Sequence, residues 1–102
     1  MEPQMATNPL ELEFAGRLRA AISQAQALGY RPTRFEQMLG ELGALRLAKA
    51  LVKSAEIHDG MKEMAKLGRK DLIMESIMLE PKFSSLFSAS ELQAADWRLR
   101  QV

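Results

Sequence analysis

Residues 29–52 read GYRPTRFEQMLGELGALRLAKALV, and the parsing of this stretch decides the fold. Pro32 pushes Arg31 away from helical dihedrals, so a helix must start afresh after it. Thr33 can cap that helix, and Glu36 stands three residues on to return the bond, the pattern of a capping box. Phe35, Met38, Leu39, Leu42, Leu45, Ala48, Leu51 and Val52 then recur at three- and four-residue spacing, the stripe of an amphipathic helix. Gly40 and Gly43 interrupt it, each at a cost of up to about 1 kcal/mol against alanine in a helix interior. Either the helix breaks there or another helix crosses close by. Gly40, Ala44 and Ala48, four residues apart, favour close approach within the chain. Tyr30 has no evident partner.

The same logic extends outward. Asn8-Pro9-Leu10-Glu11 places a cap, a proline at the first helical position and a glutamate at the third. Leu10, Phe14, Leu18, Ala21, Ile22 and Ala25 continue at helical spacing, and Gly29 is a natural stop. Beyond the opening stretch, Ser54–Gly60 reads as a connector, Met61 to Leu67 as a two-turn helix ended by Gly68. Asp71 is placed to cap a helix over Leu72–Leu79 that is apolar on more than one side and therefore central. Pro81 closes it. Lys82 to Phe87 forms an apolar-anchored turn, and Ser88 with Glu91 opens a last helix whose inward stripe is Leu92, Ala95, Leu99 and Val102. The expectation is an all-α fold, a compact bundle of five or six short helices, with a flexible tail over residues 1–7 and a single helical domain over 8–102. A length of 102 residues fits one domain.

The chemistry is sparse. The chain has no cysteine, which excludes disulfides and thiolate metal sites and suits a reducing cytoplasm. No apolar run approaches a membrane span, and MEPQMATN does not resemble a signal peptide. His58 is the only histidine. Its neighbours Glu56, Asp59 and Glu63 match neither a calcium loop nor a zinc helix, so it reads as part of a solvated linker. Glu11/Glu13 and Glu75/Glu80 sit where helix surfaces carry charge. There is no nucleophile elbow and no phosphate loop. No enzyme, metal or cofactor is predicted, and the cytoplasm is the expected compartment.

Charge placement says more than the net charge of +1. Between residues 46 and 70 stand Arg46, Lys49, Lys53, Lys62, Lys66, Arg69 and Lys70, seven basic residues against three acidic ones. Arg46, Lys49 and Lys53 share one helix face. With Lys66, Arg69 and Lys70 they are the candidates for an accessory nucleic-acid-binding surface over residues 46–70. The other reading is a solvated face whose lysines complement helix C-termini. Trp97 lies about 140° from Leu92 on the last helix, off the apolar stripe. It either caps Phe83 and Phe87, the favoured reading, or faces a partner, as tryptophan often does at interfaces. Met61 and Met64 complete the candidate partner-binding set, methionine being either core filler or an adaptable docking surface.

Taken as patterns, LGYRPTRFEQMLGELGALRLAKALV and GMKEMAKLGRKDLIMESIMLEPKFSSLFSASELQAADWRL resemble a small helical module of uncharacterised bacterial proteins. The matching positions are Gly29, Tyr30, Pro32, Thr33, Phe35, Ala48, Lys49, Asp71, Leu72, Glu75, Pro81, Lys82, Phe83, Leu86 and Phe87, within residues 28–99. Met61 and Met64 stand where that module tends to carry an aromatic. The resemblance implies a module that occurs alone or appended to larger proteins, some nuclease-like or defence-associated, of bacterial or phage origin. Together these readings favour a non-enzymatic protein-interaction module with a protein partner or self-association, the nucleic-acid binder being the alternative.

Overall fold

The computed structural model describes residues 8–102, and the tail expected over residues 1–7 lies outside them. Asn8 opens the chain's first helix: its Oδ1 accepts from the Leu10 N–H at 2.8 Å, with Pro9 at the first helical position. Glu11 does not return the bond among the described residues, so this is a cap and not a full box. Helix α1 spans Pro9–Ala27 and buries Phe14, Leu18, Ala21 and Ala25. It ends where Gly29 takes φ +95°, a conformation that costs glycine little.

Helix α2, Thr33–Leu42, starts one residue earlier than a Thr33 cap would allow. Thr33 is its first helical residue, and its N–H donates to the Arg31 carbonyl at 2.9 Å. The Glu36 carboxylate instead accepts from Gln26 Nε2 on α1 at 3.1 Å, so the expected box is replaced by an interhelical bond. The glycine question resolves as a break. Gly43, at φ +81°, separates α2 from α3, Ala44–Leu51. No atom lies within 4 Å of a Cβ built on Gly40, so no helix crosses there. Ala44 and Ala48 are buried where α3 packs on α1.

Helix α4, Asp59–Lys66, begins two residues earlier than the expected start at Met61 and terminates at Gly68, φ +72°. The single helix expected over Leu72–Leu79 is divided. A 3₁₀ turn, Lys70–Leu72, is followed by extended Ile73 (φ −77°, ψ 136°) and then by the short α5, Met74–Met78. Asp71 is not a cap, because its carboxylate is held by Arg69 at 3.0 Å. A second 3₁₀ turn covers Pro81–Leu86, and α6 runs Ala89–Leu99. Here the box forms in full: Glu91 N–H donates to Ser88 Oγ at 3.2 Å, and Ser88 N–H donates to Glu91 Oε1 at 2.8 Å.

The described residues thus hold six α-helices, five of them of eight residues or more, two 3₁₀ turns and no strand. The radius of gyration of 13.5 Å is close to the roughly 13 Å of a compact 100-residue domain. Helix α1 is the axis of the core, lying against α3, α5 and both 3₁₀ turns, while α6 packs on α5. Phe14 sits at the centre with no exposure, edge-on to Phe83 and Phe87 at centroid distances of 5.4 and 5.3 Å. The second 3₁₀ turn therefore delivers aromatics to α1, and Trp97 has no part in that cluster.

Candidate functional site

The deepest polar feature lies beneath the connector between α3 and α4. Glu75, expected on a helix surface, is 2% exposed, and Arg98 is 1% exposed. Arg98 Nε donates to Glu75 Oε2 at 2.6 Å. Its Nη1 donates to the carbonyls of Ser54 and Glu56, the latter at 2.7 Å, and Nη2 reaches Met61 Sδ at 3.7 Å. One guanidinium thus ties α6 to α5, to the connector and to α4. The reason Glu75 is inside is its helix: α5 also buries Met74, Ile77 and Met78, leaving only Ser76 partly exposed. The signals were present in the sequence, since Glu75 interrupts an apolar run and Arg98 follows Ala95 by three residues on the inward side of α6.

The connector pinned in this way forms one border of a groove of about 580 Å³, within the roughly 300–1,000 Å³ of ligand clefts. Its floor is apolar, built from α1 (Leu18, Ile22), Phe35 and Met38 of α2, and Met61 and Met64 of α4. The segments Tyr30–Arg34 and Glu56–Gly60 complete the lining. They meet at the Tyr30 ring: a Cβ on Gly60 would lie 3.0 Å from the Tyr30 hydroxyl. Tyr30, whose partner the sequence left open, therefore packs on the first turn of α4. Burial, and then the nearby Asp59 and Glu63 charges, push its phenol above the ordinary value. Arg31, Arg34, Glu56 and Asp59 also line the groove, and all four are exposed. His58 is half-buried on the rim and not solvated as expected. Its Nε2 is enclosed and has no hydrogen-bond partner among the described residues.

The candidate partner-binding residues separate. Met61 and Met64 are 6% and 4% exposed; they face the core and the groove floor, so they form no common outer surface with Trp97. Trp97 is 49% exposed, against the favoured reading that it caps Phe83 and Phe87. Those rings are already edge-on to Phe14, and the inward positions of α6 are taken by Ala95 and Arg98. Gln93, Arg100 and Gln101, all exposed, share the Trp97 face by helical spacing. Gln101 Nε2 donates to the Trp97 carbonyl at 2.8 Å.

The basic candidates also divide. Lys49 Nζ donates to Glu91 Oε1 at 2.9 Å and stands 5.6 Å from the Phe87 ring centroid. Arg69 is held by Asp71 and by Gln24 Oε1 of α1 at 2.8 Å. Arg46, Lys53, Lys66 and Lys70 are exposed and make no ion pair among the described residues. Arg46 lies on α3, Lys53 just beyond its end, Lys66 on α4 and Lys70 on the first 3₁₀ turn.

No group of three or more His, Asp or Glu side chains among the described residues is arranged to hold a metal ion. No helix among them is long and apolar enough to cross a membrane. Comparison with protein families, with curated proteins and with solved structures finds no match to this chain.

Proposed function

We propose that this chain is a non-enzymatic protein-interaction module. The observation that carries the reading is Trp97. A side chain of that size, half exposed on a well-formed helix and ringed by polar residues, has the make-up of an interface anchor, an aromatic centre inside a polar rim. The core does not need the indole inside, since Phe14, Phe83 and Phe87 already pack together there. The resemblance to a small bacterial helical module supports a protein that accompanies or regulates a larger one, of bacterial or phage origin, in the cytoplasm.

The alternative, phosphate binding by the 46–70 segment, has less to stand on, because Lys49 and Arg69 are engaged within the chain. Capture from host lysate by the wild-type chain and by Trp97→Ala, with and without nuclease, tests the two. A protein band that survives nuclease and moderate salt, and is lost with Trp97→Ala, supports the module. Capture that needs nucleic acid and falls steeply between about 50 and 200 mM salt supports the alternative.

A further inference from the structure

We infer that helix α2 is the movable wall of the groove: it undocks from α1 as one unit and opens the groove, while α1 and α3 to α6 stay folded. The inference goes beyond the interaction module and does not rest on it, since Trp97 neither lines the groove nor belongs to α2.

Helix α2 is weakly held. Of its ten residues only Leu39 is buried, and the element it chiefly packs on is α3, the next helix along the chain. From α1 it stands off. Residues of both helices line the groove, and both also line a second cavity of about 310 Å³, with Arg19, Ser23 and Gln26 from α1 and Glu36 and Gly40 from α2. Ile22 of α1 lines both spaces. Helices separated in this way forgo much of the dispersion contact of a close-packed interior. Among the described residues a single side-chain hydrogen bond joins the pair, Gln26 to Glu36, and it is exposed.

The two ends of α2 are suited to turning. Pro32 enters the helix at ψ 61° with no side-chain cap. Gly43 leaves it at φ +81°, with nothing within 4 Å of an added Cβ. Residues at element ends are where hinges absorb a change of dihedral. The connector and α4, which also line the groove, are by contrast fixed. Arg98 holds the Ser54 and Glu56 carbonyls and reaches Met61, and Tyr30 packs on Gly60. Segments with few buried apolar contacts and exposed hydrogen bonds open at the low end of a protein's range of local stabilities. In this chain that segment is α2, and its departure uncovers Leu18 and Ile22 of α1.

Native-state hydrogen exchange on the full chain tests this. The amides of residues 38–42 in α2 should exchange at least about tenfold faster than those of residues 14–25 in α1, with a weaker dependence on urea, the mark of a sub-global opening. The chain has no cysteine, so Gln26→Cys/Glu36→Cys supplies a unique pair that a short bismaleimide can bridge. Bridging should slow the α2 amides at least about tenfold, toward the α1 rate. Wild-type α2 amides that share the rate and urea dependence of α1 overturn the inference, and need no variant to do so. A bridged chain whose α2 amides still exchange fast also overturns it, because the helix would then be fraying in place and not undocking. Trp97→Ala should leave the wild-type exchange pattern as it is, so this inference and the interaction module fail or stand separately.

Discussion

Arg98 Nε stands 2.6 Å from Glu75 Oε2, and both side chains are closed off from solvent. Buried ion pairs contribute little net stability over apolar replacements, but removing one partner strands the other charge, at about 3–5 kcal/mol. We expect Glu75→Leu and Arg98→Met each to lose that amount in urea unfolding. The double variant should regain only part of it. The Ser54 and Glu56 carbonyls also depend on Arg98, and a buried acceptor left without a donor costs about 1–3 kcal/mol. A double variant as stable as the wild type would show that the connector does not need the guanidinium.

Two glycines should respond with opposite sign. Gly16 lies inside α1 with nothing within 4 Å of an added Cβ, and its φ is not positive. Gly16→Ala should therefore stabilise by about 0.4–1 kcal/mol, by restricting the unfolded chain. Gly43 has open space as well but φ +81°, so Gly43→Ala should destabilise through backbone strain alone. Thermal melts of the two variants, side by side, check both signs.

The α6 cap predicts a pH dependence. The Ser88 backbone N–H foremost, and then Lys49, hold the Glu91 carboxyl below its usual range. A carboxyl depressed in the folded state contributes stability above its unfolded pKa and loses that contribution as pH falls through the folded pKa. Glu91→Gln should accordingly be less stable than wild type at neutral pH, and the two melting curves should converge on acidification below the folded pKa. Ser88→Ala should cost about 1 kcal/mol at neutral pH. A Glu91→Gln deficit that persists unchanged in acid would mean that the carboxylate charge is not what matters.

Trp97 is the chain's one tryptophan, which makes it a clean reporter. Its emission should be that of a partly hydrated indole and should shift to the blue when a partner covers α6. Trp97→Ala should cost only about 1 kcal/mol, near the centre of point-mutation effects. Phe14→Ala, which empties the buried aromatic cluster, should cost about 3–5 kcal/mol. A Trp97→Ala loss as large as that of Phe14→Ala would make the indole a core residue.

The all-α class, the positions of most helices, the stops at Gly29 and Gly68 and the Ser88–Glu91 box were legible in the sequence, because they depend on interactions within about one helical turn. Period, proline and glycine act locally, and local patterns survive in one dimension. The groove floor was partly legible too, as the apolar stripes of α1 and α2. What tertiary structure alone decided are the places where a side chain had two destinations. Glu36 could close its own cap or accept from Gln26, Asp71 could cap or pair with Arg69, and Lys49 could meet solvent or Glu91. In each case a partner distant in sequence, or a backbone turn, settled the choice. Glu75 went inside because four of the five residues of α5 are buried, and Trp97 stayed outside because Phe14, Phe83 and Phe87 had already closed the core. Packing is a competition among all the helices for one interior, and a single helix's spacing does not contain its outcome.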